Sequence, residues 1–302
     1  MKHVLDIDDL TSEALTSIIT RGLGYKADPS NVPQTLSGKS VAMLFEKPSA
    51  RTRMSTEMAV VKLGGHAMFL RGEEIGLGTR EITRDVVRTV AGYADLFAAR
   101  VFRHSDLVEM AGCNAVPILN LLSDVAHPCQ ALADLLTIQE DRGTLHGLSI
   151  AFVGDGNNVA TSLALACAMS GMKMTVASPE GYALSEAAVD RVHKLGGQLE
   201  QVRNPHEAVA NADVIYTDVW TSMGAEAEAA QRLAAFAGYT VDEELMSAAP
   251  SHAIVMHCLP AHRGEEISDA VIESTQSRVW KQAENRMWAL IPLLEDLIGG
   301  AS

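Results

Sequence analysis

Short, almost continuously apolar runs alternate along the chain with stretches whose apolar residues recur every three to four positions. Ser40 to Phe45, Ser149 to Val153, Met174 to Ala177, Val214 to Thr217 and Ala253 to His257 are runs of the first kind. A segment that is apolar at successive positions has no wet face, so it suits a strand covered on both sides in a parallel sheet. Met54, Met58 and Val61 fall at helical spacing, as do Leu132, Leu135 and Leu136. This alternation predicts an α/β fold with open, mainly parallel sheets flanked by helices.

The polar stretch Glu140-Asp141-Arg142-Gly143 ends a helix that begins near Pro128, and a new strand opens after Gly147. A chain of 302 residues is long for one core, so two α/β domains with a boundary there are expected. The segment from Ala283 to Ile298 has a helical pattern and can return to either domain. Gly224 to Gly238 is Ala-rich and acidic and reads as a solvated helix or a mobile loop. There is no internal repeat and no low-complexity tract.

Charge narrows the function classes. The chain carries 24 Lys+Arg against 38 Asp+Glu, a formal net charge of −14, with 47% hydrophobic residues. Ample apolar content excludes disorder as the main state. An acidic balance disfavours nucleic acid, whose phosphates need a basic surface, but leaves room for a small anion held by local arginines. The four cysteines, Cys113, Cys129, Cys167 and Cys258, have no CxxC spacing and read as reduced thiols of a cytoplasmic protein. The N-terminus has acids where a signal peptide has an apolar run. The apolar stretch Leu163 to Met174 is broken by Ser170, Gly171 and Lys173 and cannot span a bilayer. No membrane partner is expected.

Five polar motifs follow apolar runs. Glu46-Lys47-Pro48-Ser49-Ala50-Arg51-Thr52-Arg53 lies between a strand and a helix, where unpaired N–H groups, the helix dipole, two hydroxyls and Arg51 suit a phosphate. A plain Ser N-cap with exposed arginines fits the same residues. His127-Pro128-Cys129-Gln130 opens a helix with proline in its first turn, so His127 sits at the helix mouth, in a structural role or beside a ligand. Arg100, after Leu96 to Ala99, is a third anion ligand or a surface arginine. Gly154-Asp155-Gly156-Asn157-Asn158 invites a dinucleotide reading, but Val159 replaces the third glycine and Asp155 opposes a pyrophosphate, so a Rossmann dehydrogenase fails. The same turn can instead present Asn158 at the carboxyl edge of a sheet. Asp218 to Gly224 and His257 to Gly264 complete the set. His257, Cys258 and His262 match no standard zinc spacing, so no metal is expected.

Taken together the motifs resemble those of the ornithine carbamoyltransferases, over nearly the whole chain. They are SxRTR at Ser49 to Arg53, HPxQ at His127 to Gln130, DxWxSMG at Asp218 to Gly224, HCLPAHRGEE at His257 to Glu266 and AENR at Ala283 to Arg286. The first two are common to carbamoyltransferases, whereas SMG with HCLP points to ornithine. The resemblance implies a carbamoyl-phosphate domain over residues 1–140, joined by a C-terminal helix over about 283–302, an ornithine domain over 141–282, and an active site in the cleft between them. It implies transfer of the carbamoyl group of carbamoyl phosphate to the δ-amine of L-ornithine, giving L-citrulline and phosphate, with no cofactor. Arg51, Arg100, His127 and Cys258 would be the catalytic residues. Ser49, Ala50, Arg51, Thr52, Gly76, Arg100, His127, Gln130, Cys258, Leu259 and Arg286 would bind carbamoyl phosphate. Asn158, Asp218, Ser222 and Met223 would bind ornithine. An acidic chain would thus gather Arg51, Arg53, Arg100 and Arg286 for one dianion. Two positions depart from the family pattern: Ala50 stands where Thr is common, and Gly76 where relatives place a side chain that reaches a neighbouring subunit. The resemblance also implies a homotrimer or a multiple of trimers. Rival readings are a carbamoyltransferase for putrescine, N-acetylornithine or aspartate, and a non-catalytic binding protein with this fold.

Overall fold

A computed structural model of the chain describes residues 2–221 and 226–299. The chain divides into two compact units, residues 1–136 with 284–302, and residues 137–283. In chain order the first unit carries α1 (Ser12–Ala27), β1 (Ser40–Phe45), α2 (Ala50–Lys62), β2 (His66–Arg71), α3 (Gly72–Ile75), α4 (Thr83–Ala91), β3 (Leu96–Arg100), α5 (His104–Gly112), β4 (Ile118–Leu122) and most of α6 (Pro128–Arg142). The second carries β5 (Ser149–Val153), α7 (Asn158–Ser170), β6 (Lys173–Ala177), α8 (Glu186–Lys194), β7 (Gln198–Val202), α9 (Pro205–Val209), β8 (Val214–Thr217), α10 (Ala229–Ala235), α11 (Glu243–Ser247), β9 (Ile254–His257) and α12 (Asp269–Ile272). The last helix, α13 (Val279–Gly299), begins in the second unit and belongs to the first from Glu284 onward.

Each unit is built on one parallel sheet, ordered β2-β1-β3-β4 in the first and β7-β6-β5-β8-β9 in the second. The continuous apolar runs form inner strands and also the outermost strand β9, with every residue of β3, β8 and β9 buried. The outer strands β2 and β7 differ. β2 is half-exposed, and β7, whose sequence is QLEQV, has no buried residue. The outermost strands β4 and β9 are each bonded on their outer side by a further segment, at Val4 and at Gln276 to Arg278, whereas β2 and β7 keep a free side and need less apolar coverage. This is why neither strand shows in the apolar pattern.

The cores are ordinary in composition. In the first unit Leu44, Phe97, Leu107 and Ile118 pack with Val86 and Val87 of α4. In the second, Trp220 stacks on Phe236 at 5.5 Å between ring centroids and packs with Ile215, Val241 and Val255. Burial of each large side chain contributes about 1.5–3 kcal/mol.

One helical pattern points outward. Met54, Met58 and Val61 are 59%, 45% and 52% exposed, while Ser55, Thr56, Ala59 and Val60 of α2 are buried. Small residues let the helix lie close on its sheet, and the larger apolar ones form its outer face. Ala229 to Ala235 of the acidic, Ala-rich segment is helical with no buried residue. No helix among the described residues is long and apolar enough to cross a membrane.

Because every strand pairing is parallel, all carboxyl ends of one sheet lie along one edge. In open α/β sheets that edge is where ligands bind. The motif residues of the sequence sit there, on β1, β3 and β4 in one unit and on β5, β8 and β9 in the other.

Candidate active site

In the first unit the chain leaves β1 at Phe45 and enters α2 at Ala50. Ser49 occupies the N-cap in an extended conformation, and its side chain makes no capping hydrogen bond. The first-turn N–H groups of a helix have no partner within the helix. A non-capping Ser49 therefore leaves its hydroxyl available together with the N–H groups of Ala50, Arg51 and Thr52, at the positive end of the helix dipole. Ala50 is exposed, Arg51 half-buried and Thr52 buried. Ala50 can offer only its backbone.

Arg100 ends β3 beside Phe45, and its carbonyl accepts from the Glu46 N–H at 2.9 Å. Its side chain is buried, with 6% of the residue exposed. The surface-arginine alternative is thereby removed. His127 follows β4 and precedes Pro128, the first residue of α6, and is buried with Gln130.

Arg286 of α13 brings these elements together. One guanidinium nitrogen donates to Gln130 Oε1 at 2.5 Å and another to Thr52 Oγ1 at 3.1 Å, all buried. Gln130 Nε2 in turn donates to Asp134 Oδ1 at 2.8 Å, so the orientation of the amide is fixed at both ends. Burial, with the charges of Arg286 and then Arg100, holds the His127 imidazole well below its ordinary value near 6.5. The ring is neutral at neutral pH. Burial pushes the neighbouring Cys129 thiol up to about 12, and its Sγ donates to Asn120 O at 3.4 Å. Cys129 is an inert packing thiol.

Two first-unit residues fall outside this cluster. Arg53 stacks over the Phe69 ring, 3.9 Å from its centroid, and pairs with Glu57, so it does not join the other arginines. Gly76 caps α3 at φ +61°, donates its N–H to Gly72 O and accepts from Thr79, Arg80 and Glu81 N–H groups. A Cβ there would lie 2.7 Å from Arg80 Cβ. Its backbone is committed to this turn and its conformation requires glycine.

In the second unit Asp218 follows β8 and is 6% exposed. Asn157 Nδ2 donates to its Oδ2 at 2.8 Å, the Val219 N–H to its Oδ1 at 2.8 Å and Cys258 Sγ to its Oδ1 at 2.9 Å. Asn157, missed in the sequence, has two tasks. Its Oδ1 caps α7 by accepting from Val159 and Ala160 N–H groups while its Nδ2 fixes Asp218. An Asn preceding a helical pattern is the signal that was available. Asn158 starts α7 and is half-buried. Gly156 serves close backbone approach, since a Cβ there would lie 2.4 Å from Leu184 N. Asp155 is raised by burial despite its 2.7 Å ion pair with Arg232.

Cys258 follows β9 and is half-buried. Leu259 has φ +59°, a conformation that costs a non-glycine residue about 1–3 kcal/mol. Its N–H donates to His257 Nδ1 at 2.8 Å, and His257 Nε2 meets Glu266 Oε1 at 3.0 Å. Asp218, His257 and Cys258 bring one ligand atom each to within 4.8 Å of one another, with both His257 ring nitrogens engaged by these partners. Ser222 and Met223 lie outside the described residues.

Residues 2–140 match the family described as aspartate/ornithine carbamoyltransferase, carbamoyl-P binding domain, and residues 146–296 its Asp/Orn binding domain. An ornithine carbamoyltransferase of Methanoculleus marisnigri is 48% identical over 301 residues, 99% of this chain and 97% of that protein. The anabolic ornithine carbamoyltransferase of Pyrococcus furiosus is 43% identical over 99% of this chain and 97% of its own length. The solved Pyrococcus furiosus structure superposes with a TM-score of 0.95, covering 100% of this chain and 98% of that one. The Thermus thermophilus ornithine carbamoyltransferase gives 0.90 at 40% identity, covering 99% of each chain.

The neutral His127 has a measurable consequence. Its imidazole resonances are expected to stay at neutral-ring positions down to pH 6 and below in an NMR titration. Ordinary titration near 6.5 would contradict the buried, cation-flanked setting. By linkage, only the unfolded chain takes up this proton as pH falls below about 6.5, so the fold loses stability from that point downward.

Proposed function

The chain belongs to the aspartate/ornithine carbamoyltransferase family, and from that premise we propose that it transfers the carbamoyl group of carbamoyl phosphate to the δ-amine of L-ornithine, giving L-citrulline and phosphate. The observation that carries this reading is the buried Arg286 bridge between Thr52 and Gln130, beside a neutral His127 and a buried Arg100. That arrangement suits a small dianion joined to a neutral carbonyl group.

In this reading the first unit is the carbamoyl-phosphate domain. Ser49, the Ala50 N–H, Arg51, Thr52 and Arg100 hold the phosphate. His127, Arg100 and Thr52 donate to the carbonyl oxygen, while Gln130 and the Leu259 carbonyl hold the carbamoyl amide. The second unit holds ornithine, its carboxylate on Asn158, its α-ammonium on Asp218 and Ser222, with Met223 lining the side chain and Cys258 facing the δ-amine. The unprotonated amine attacks the carbonyl carbon, a C–N bond forms, and the C–O bond to phosphorus breaks. The phosphate leaves with the bonding pair and takes up the proton that the amine gives up. Negative charge grows on the carbonyl oxygen during attack, and each aligned donor there contributes roughly 2.7–4 kcal/mol. A neutral His127 keeps one ring N–H with which to donate to that oxygen. The reaction as drawn uses no cofactor.

Assembly and compartment follow from other features. The outward apolar face of α2, Met54, Met58 and Val61, supports a homo-oligomeric contact, read here as a trimer or a multiple of trimers. The four free cysteines support a reducing, cytoplasmic setting. The anabolic relative supports a place in arginine biosynthesis.

Three measurements test these readings. Product formation from carbamoyl phosphate is expected with ornithine and at most weakly with putrescine, N-acetylornithine or aspartate; preference for another amine moves the acceptor assignment, and no turnover with any supports a binding protein. Arg51→Ala is expected to lower kcat/KM for carbamoyl phosphate about 100-fold, on the scale of losing one such donor, and near-native kinetics would mean that the phosphate binds elsewhere. Light scattering should give three chains, or a multiple of three, per particle, with Met58→Glu weakening the assembly. A monomeric native protein would defeat the trimer.

A further inference from the structure

The segment after β9 contains a buried polar chain that the substrate contacts above do not use. The side chains of His257 and Glu266 are both fully buried. Glu266 Oε1 meets His257 Nε2 at 3.0 Å and accepts from the His262 N–H at 2.6 Å. On the other side of the ring, His257 Nδ1 accepts from the Leu259 N–H at 2.8 Å. The His257 N–H donates to Gln282 Oε1 at 2.9 Å, and Gln282 Nε2 donates to the Tyr216 hydroxyl at 3.0 Å. The ring is thus approached by one obligate donor and one acceptor.

These contacts select one tautomer. A backbone N–H can only donate, so His257 Nδ1 is the unprotonated nitrogen, and the ring proton sits on Nε2 and goes to Glu266. Reversing the tautomer would set Nδ1–H against the Leu259 N–H. Leu259 has φ +59°, and its N–H reaches Nδ1 from that left-handed conformation, between Cys258 and Pro260. The conformation of Leu259 sets where its own carbonyl points and how Cys258 leaves the strand.

We propose that Glu266 is a positioning residue. It holds His257 in the Nε2–H tautomer, so that Nδ1 keeps Leu259 left-handed and presents the Leu259 carbonyl and Cys258 to the substrates. The inference rests on the carbamoyl-transfer reading. Its requirement is an acceptor oxygen at Oε1 rather than a charge, since Oε2 is buried without a hydrogen-bond partner among the described residues. Gln fulfils that requirement. Both donors that meet at Oε1, His257 Nε2–H and the His262 N–H, demand an oxygen, which fixes the amide with its NH2 at the Oε2 position.

Two measurements on the full-length protein test the assignment. Nitrogen-15 NMR of the histidine rings at pH 7, with His257→Gln for assignment, should give His257 an unprotonated Nδ1 and a protonated Nε2, without substrate. A protonated Nδ1 would overturn the proposal even if no variant folds. In steady-state kinetics per folded molecule, Glu266→Met should lower kcat at least tenfold, with KM for carbamoyl phosphate changing less. Glu266→Gln should restore kcat to within about threefold of native and keep the same tautomer. Native kcat in Glu266→Met, or equal losses in Met and Gln, would overturn the positioning role. A native protein that makes no citrulline but shows the Nε2–H ring would instead defeat the carbamoyl-transfer reading and leave the tautomer assignment in place.

Discussion

Burying a guanidinium costs several kcal/mol unless its donors are used, and Arg286 meets that condition by bridging Thr52 and Gln130. The remaining features of the first unit depend on this bridge. It joins the last helix to the first turn of α2 and to the first turn of α6, the places of the SxRTR and HPxQ motifs. It also determines the chemistry of the neighbouring histidine. A ring that is buried alone loses its charge, and one buried beside Arg286 and Arg100 loses it more completely. The cation therefore creates a neutral donor next to a cationic one. For a substrate with a dianionic phosphate and an uncharged carbonyl, this division matches charge to charge and neutral donor to neutral acceptor.

The second unit handles charge in the opposite sense. Two carboxylates lie at the carboxyl edge of its sheet, and their partners differ. Asp155 is paired with Arg232 at 2.7 Å, a bond that ties α10 to the turn after β5. Among the described residues the donors to Asp218 are an amide, a backbone N–H and a thiol, all neutral. Its negative charge is oriented by these donors but not cancelled by them. A carboxylate in that state favours an ammonium ligand, whereas Asp155 has already used its charge on the fold. The distinction supports the proposed pairing of Asp218 with the α-ammonium of ornithine.

Strands buried on both faces were readable in the sequence, because coverage on both sides leaves an unbroken apolar run, as in β5 and β8. The polar edge strand β7 was not, since one free side removes the need for that pattern. The site divides in the same way. Arg100 alone is ambiguous in sequence, and its burial decides the matter. Arg53 stands two positions from Arg51 in one motif, yet helix geometry turns it onto Phe69. Met54, Met58 and Val61 show helical spacing, but spacing does not say which face of α2 meets the sheet. Asp134 and Glu266 act through other side chains, Gln130 and His257, and a residue that touches no substrate leaves only its burial as a mark.

Long-range contact explains why part of the site had to wait for the fold. Arg286 and Thr52 are separated by 234 positions, and Asn157 and Asp218 by 61. No local pattern records such pairs, although each is as specific as a helix cap. The net charge of −14 is equally silent about the site. Screening limits a surface charge to about 8 Å at physiological ionic strength, so acids elsewhere on the molecule barely oppose an anion bound at α2. Buried arginines with oriented donors act where screening is weakest. An acidic chain is therefore compatible with a phosphate site, provided that cations at that site are buried as Arg100 and Arg286 are.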